Sequence, residues 1–189
     1  MSSIENEKLL YAATLLIEYA GGTLQRTNLN KALFYLDLHW LLETGQTYTG
    51  GDYVALTHGP VLDGYVPHMI NPLVLQGKVV EVEQDLMYWK SKRLVLREPA
   101  EKPTDEHLEV TVRRIAQWVS GQNAAELSDF SHDNIGWKSA IEKRNGAPIN
   151  MVLALEQLVD DDPWIGELLS EEETKRLKQK LEGEFVSFE

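Results

Sequence analysis

One segment of the chain carries apolar residues on every side of its helical projection, whereas a helix at a protein surface carries a single apolar stripe. This segment runs from Leu29 to Leu42. Asn28 before it is a residue type that begins helices, and Gly45 after it is the type that most often ends them. The pattern therefore predicts a helix buried at the centre of the fold. Its apolar residues are Leu29, Ala32, Leu33, Phe34, Leu36, Leu38, Trp40, Leu41 and Leu42.

Helical spacing also predicts a first helix, which begins at a capping-box pair, Ser2 and Glu5, and ends at a Gly-Gly pair. We expect this helix to be amphipathic and to pack on the central one. Region 60–77 has helical spacing too, but Pro67 and Pro72 would each remove a backbone hydrogen bond. We therefore expect a helix there that is broken or starts late.

The same spacing predicts further helices after residue 100. Thr104-Asp105-Glu106 caps the first of them, Asn123 and Glu126 open the second, and Pro148 suits the first turn of the last. The predicted helices are 104–119, 123–130, 135–144 and 148–159.

Two short runs, Lys78–Glu83 and Arg93–Glu98, alternate between apolar and polar residues, which is the period of a strand with one buried face. A third run, Asp52–Leu56, is strand-like and lies between two turns. We expect these strands to pair in one small antiparallel sheet. The whole pattern predicts a mainly α fold, with a compact helical domain over residues 1–160 around the buried helix. Residues 161–189 are expected to form a C-terminal amphipathic helix or tail. The predicted strands are Asp52–Leu56, Lys78–Glu83 and Arg93–Glu98.

Composition favours a soluble globular protein with a protein partner. Lys and Arg total 18 against 30 Asp and Glu, which gives a formal net charge of −12. Such a surface repels phosphate backbones, so we expect no direct contact with nucleic acid, and complementary charge favours a basic partner. Acidity that only keeps the protein soluble is the alternative. The chain has no cysteine, no basic leader and no membrane-length apolar run, so we expect a cytoplasmic protein without membrane contact.

Motifs for common chemistry are absent from the sequence. It contains no Gly-rich phosphate loop, no nucleophile elbow and no zinc-protease motif. The five histidines share no metal-ligand spacing, so we expect no metal and no cofactor. These histidines are His39, His58, His68, His107 and His132.

Polar residues in three places invite a chemical or a structural interpretation. Asp37 lies in the apolar helix, where a carboxylate needs a partner, and we expect a turn amide, a Tyr hydroxyl or a Lys. His58 is presented by a tight Gly-Pro turn, and the segment Ser128–Asn134 holds a hydroxyl, an imidazole and carboxylates that helix capping also explains. An enzyme using Asp37, His58 and His132 is the alternative, and it requires all three in one cleft.

Four segments together resemble the Panacea domain family, which includes SocA-like antitoxins and phage-associated GepA-like proteins. The resemblance depends on their order and spacing and runs from about Lys8 to Arg144. The segments are KALFYLD at Lys31–Asp37, TGGDYVA at Thr49–Ala55, HGPV at His58–Val61 followed by Tyr65, and LSDFSH at Leu127–His132 followed by Trp137.

This resemblance implies a mainly helical domain with a small sheet that acts as the antitoxin of a toxin–antitoxin pair and is not an enzyme. Its implied partner is a cognate toxin protein, neutralised by direct binding and encoded by the adjacent gene. Members restrain unrelated toxins, and one type of member instead delivers its toxin to a protease. Delivery by an adaptor is therefore the alternative, with the tail contacting the protease.

Two segments, Gly50–Tyr65 and Phe130–Trp137, combine turn-forming residues with aromatic side chains, which dominate the energetics of protein interfaces. We expect both to border one toxin-binding surface whose polar residues keep the loops rigid. Placement of the aromatics in the core is the alternative, and for Trp137 it is favoured by helical spacing with Ile141. The predicted toxin-binding residues are Asp52, Tyr53, His58, Tyr65, Phe130, His132 and Trp137.

Overall fold

The central helix of the fold is the buried one that the sequence predicts. A computed structural model of the protein describes residues 3–86 and 89–160. In it the helix α2 spans Arg26–Thr44, and its side chains from Asn28 to Leu38 are all buried. Gly45 ends α2 in the left-handed conformation, with φ of 76°, as expected.

The beginning of α2 differs from the prediction. Gln25 occupies the capping position, and no side chain caps the first turn. Asn28 is the third residue of the helix, and its side-chain amide donates to the carbonyls of Val119 (2.9 Å) and Gln122 (3.1 Å). The predicted N-cap role of Asn28 is therefore wrong, because its side chain joins α2 to a later helix instead.

The first helix, α1, spans Ser3–Tyr19 and packs against α2. It also packs against the later helix that Asn28 contacts, and against a strand. Almost every side chain between Leu9 and Ile17 is buried, so the expected single apolar stripe is wrong. The second face of α1 is covered by that later helix and by the strand, and local sequence patterns do not place either of them beside α1. The expected capping pair includes Ser2, which lies outside the described residues.

Two three-stranded antiparallel sheets accompany the helices, so the mainly α fold class with minor β structure is confirmed. The expectation of one sheet is wrong, because the predicted strands divide between two sheets. In the first, β5 (Trp89–Leu96) lies between β1 (Thr23–Gln25) and β4 (Val79–Leu86). In the second, β2 (Tyr53–Leu56) lies between β3 (Gly59–Leu62) and β6 (Ala147–Pro148). The three unpredicted strands have two to four residues, too few to show a period.

The interrupted helix after β3 is confirmed. A π-helical turn, Val66–Ile70, runs into a short helix, α3, at Asn71–Leu75. Pro67 and Pro72 lie in the first turns of these two pieces. A missing N–H costs little there, since the first helical residues have no partner within the helix.

Four helices complete the part of the chain that the structure describes. Their bounds are α4 Glu106–Gly121, α5 Ala124–His132, α6 Ile135–Ile141 and α7 Met151–Asp160. Asp105 caps α4, and Asn123 and Glu126 form a capping box on α5, both as predicted. Pro148 lies in β6 and not in the first turn of α7, where Asn150 accepts bonds from two backbone amides.

No helix within the described ranges has both the length and the apolar character that crossing a bilayer requires. The proposed C-terminal tail, residues 161–189, lies outside the described part of the chain.

Candidate functional site

The buried ammonium of Lys31 on α2 holds the tip of the β2–β3 hairpin from beneath. Only 1% of Lys31 is exposed, and its Nζ donates to the carbonyl oxygens of His58 (2.6 Å) and Pro60 (3.0 Å). Gly59 lies between these two residues with φ of 97°. No local sequence pattern indicates this role of Lys31, because its partners lie 27 and 29 residues away.

Burial lowers the pKa of Lys31 from its ordinary value to about 7. The unfolded chain keeps the ordinary pKa near 10.5 and so binds more protons than the folded chain between pH 7 and 10.5. The free energy of unfolding therefore rises as the pH increases above 7 and declines as the pH falls toward 7.

This linkage predicts a pH effect that depends on Lys31. The unfolding free energy of the wild type, relative to Lys31→Met, should increase by about 2 kcal/mol between pH 7 and pH 9. Urea titrations at both pH values measure it, and comparing the slopes removes the constant cost of the two carbonyls that methionine leaves unpaired. Equal pH dependence in the two proteins would contradict burial of a titrating amine.

Asp37, two turns further along α2, holds the other end of the hairpin. Its side chain is 0% exposed and accepts bonds from the Thr49 amide (2.8 Å), the Thr49 hydroxyl and the Tyr53 hydroxyl (2.8 Å). Burial raises the pKa of Asp37 to about 6, and the bonds from Thr49 and Tyr53 act in the opposite direction. The expected structural role, a carboxylate paired with a turn amide and a Tyr hydroxyl, is confirmed.

Three of the predicted binding residues meet at the hairpin tip. His58 is exposed in the turn, and the half-buried His132 stacks on Trp137 with ring centroids 4.3 Å apart. The Trp137 indole donates to the carbonyl of Leu56 (3.0 Å) on the hairpin. Burial and the nearby Lys31 lower the pKa of His132. Helix α6 thus braces the tip from the side, while α2 holds it from below.

The segment Ser128–Asn134 serves helix ends, as its structural interpretation predicts. The Ser131 hydroxyl donates to the Ser128 carbonyl at 2.8 Å, a bond within α5. Asn134 caps α6 by accepting from the Trp137 amide at 3.1 Å. These contacts do not orient a serine toward the His132 imidazole as a triad requires.

The other predicted residues lie elsewhere. Asp52 and Tyr65 are near the open end of the hairpin, where the Asp52 carbonyl accepts from the Asp63 amide at 2.8 Å. The strand register places this end about 10 Å from the tip, at about 3.4 Å per residue. Tyr53 is only 1% exposed, so the expectation of an exposed aromatic is wrong for it: its side chain faces Asp37.

Phe130 is half-buried in an aromatic cluster beside the tip. Its ring lies 5.4 Å from that of Trp118 and 6.0 Å from that of Tyr35 on α2. These tilted and edge-on contacts make Phe130 part of the support for α5 and leave it only partly available to a partner.

The constellation proposed for an enzyme is divided between the two ends of the hairpin. Asp37 is enclosed at the open end by Thr49 and Tyr53, whereas His58 and His132 lie at the tip. Those three side chains therefore do not share a cleft. A group within the described residues that could hold a metal ion is His39, Glu43 and His107, on α2 and α4.

The four sequence segments quoted above are thus one structural unit. The first supplies Lys31 and Asp37, the second and third form the hairpin that these side chains hold, and the fourth braces the tip. The model of a protein family described as "Antitoxin SocA-like, Panacea domain" matches residues 29–138, more than half of the chain. Neither a search of curated proteins nor a search of solved structures gave a match. The chain belongs to the family of SocA-like antitoxins that carry the Panacea domain.

Proposed function

We propose that this protein neutralises a cognate protein toxin by direct contact through the hairpin tip. The tip face is defined as Thr57, His58, His132, Asp133 and Trp137. Membership of the antitoxin family supports a toxin partner, and the observation that carries the location is the Lys31 bond pair beneath an exposed turn. Burying a lysine costs free energy. A loop that is fixed at such a cost is a good candidate for a surface that contacts a partner.

Rigidity of the tip favours its use as a binding surface. Lys31 fixes the turn from below, and the Trp137 indole fixes the adjoining strand from the side. Residues already held in one conformation lose little entropy when a partner binds, so more of the contact energy appears as affinity. His58 and Trp137 then present an imidazole and part of an aromatic ring without reorganisation.

Charge favours a basic toxin. The net charge of −12 steers cationic partners, and Asp129 is exposed beside the tip, whereas the exposed Asp133 is ion-paired with Lys138. Asp52 and Tyr65 form a second edge of the proposed surface, which a toxin covering the length of the hairpin would reach. Tyr53 and Phe130 contribute from beneath by supporting the hairpin and α5.

Co-expression with the neighbouring open reading frame tests the function. We expect that frame alone to arrest growth and this chain, supplied from a second promoter, to restore it. The matched control carries an early stop codon in this chain and should leave growth arrested. A harmless neighbour, or arrest that this chain does not relieve, would contradict the proposal.

Toxin abundance separates neutralisation by contact from delivery to a protease. Direct binding predicts unchanged toxin levels in rescued cells and a stoichiometric complex in the lysate. Rescue accompanied by rapid toxin loss, and abolished when residues 161–189 are deleted, would favour the adaptor alternative instead.

A further inference from the structure

A cluster at the C-terminal end of α2 brings together two imidazoles and one carboxylate. His39 and Glu43 are one helical turn apart on α2, and His107 comes from the first turn of α4. The atoms that could bind a metal all lie within 4.8 Å of one another. The His39 Nδ1 is 3.7 Å from a Glu43 oxygen, and the His107 Nε2 is in close contact with the same oxygen.

We propose that His39, Glu43 and His107 form a binding site for a divalent transition-metal ion of the zinc type. Two imidazole nitrogens and a carboxylate oxygen are a donor set that Zn²⁺ accepts, with a fourth position open to water. The Glu43 carboxylate also adds a negative charge to this donor set, on a protein that is acidic overall.

The distances fit such an ion after a small adjustment of side chains. Ligands about 2.1 Å from zinc in a tetrahedron are about 3.4 Å from each other. The 3.7 Å separation of His39 and Glu43 is already close to that value. His107 is half exposed and can rotate, and its hydrogen bond with Glu43 would be exchanged for a shared metal ion.

Neighbouring aromatic rings pre-position the ligands. The Trp40 ring lies 5.3 Å from the His107 ring, and Tyr48 packs edge-on against Trp40 at 5.1 Å. A metal ion here would join the C-terminal half of α2 to the first turn of α4. Because it would bind the folded chain and not the unfolded one, it would stabilise the fold.

The cluster is not evident from the sequence because its members are far apart along the chain. The His107 and Glu43 partners are separated by 64 residues. The pair His39 and Glu43 at helical i, i+4 spacing was the available signal, but it offers only two ligands.

Calorimetric titration of the full chain with ZnCl₂ tests the site, using protein purified without a polyhistidine tag and treated with chelator. We expect one equivalent to bind and to raise the melting temperature. His107→Ala should weaken binding more than about tenfold and abolish the zinc-dependent melting shift. The exposed His107 side chain makes this variant compatible with folding, which circular dichroism checks. His68→Ala removes an exposed histidine outside the cluster and should bind as the wild type does.

Two results would overturn the proposal. One is the absence of saturable binding, and the other is binding that His107→Ala leaves unchanged. A melting temperature that His107→Ala lowers equally with and without zinc would show that the cluster is only a hydrogen-bonded contact. Glu43→Gln supplies a second variant, with the same expected loss of affinity.

Discussion

The Gly59→Ala variant is expected to lose about 3 kcal/mol or more of unfolding free energy. A methyl group at this position would lie far inside van der Waals contact with the Lys31 ammonium and the Ser131 hydroxyl. Gly59 also has φ of 97°, a conformation that alanine adopts only with strain. Lys31 cannot retreat easily, because its Nζ is bonded to the carbonyls on both sides of Gly59.

Gly21→Ala is the matched control for that substitution. Gly21 has a similar φ of 92°, but a methyl group there would meet nothing within 4 Å. The control therefore isolates backbone strain, which costs about 1 kcal/mol. Urea denaturation of both variants measures the difference. Equal losses would show that the close approach of Lys31 and Ser131 is not what requires glycine at position 59.

The Asp37→Ala variant is expected to lose about 3–5 kcal/mol. The substitution leaves the Thr49 amide, the Thr49 hydroxyl and the Tyr53 hydroxyl without their acceptor in the core. Each unpaired buried donor costs about 1–3 kcal/mol, and the removed side chain leaves a cavity. The stretch from Thr49 to Tyr53 should then separate from α2.

Chemical denaturation compares this variant with Asp63→Ala, which removes an exposed carboxylate from the same end of the hairpin. We expect Asp63→Ala to change stability by less than about 0.5 kcal/mol. Asp37→Asn keeps one acceptor and should fall between the two. A loss from Asp37→Ala no larger than that from Asp63→Ala would refute the structural role of the buried carboxylate.

Local sequence patterns predict much of the fold. The all-round apolar pattern of α2, the caps at Asp105 and Asn123, and the prolines after β3 each act within a few residues, so the sequence reveals them directly. The need of Asp37 for partners was also predictable, since a carboxylate in an apolar helix must be satisfied wherever its partners come from.

Long-range pairing could not be read from the same patterns. The strand-like run at β2 predicts a strand but not which sheet it joins, and β6, its partner, has only two residues. A run of apolar residues also leaves open which side chains are buried, and Tyr53 faces inward where an exposed aromatic is expected. Lys31 gave no signal, because its partners are backbone carbonyls and any sequence has those.

The affinity of the purified chain for its toxin tests directly whether the toxin binds the tip face. The variant combining His58→Ala and His132→Ala removes two imidazoles from the tip face and leaves Lys31 and its carbonyl partners in place. We expect toxin binding to be weakened more than about tenfold, equivalent to about 1.4 kcal/mol, in a double variant that circular dichroism shows to be folded at the temperature of the measurement. The control is His107→Ala, which removes a histidine on α4 whose ring faces Glu43 and Trp40, and it should bind the toxin as the wild type does. Wild-type affinity in the double variant would contradict binding at the tip face and would place the toxin on another surface.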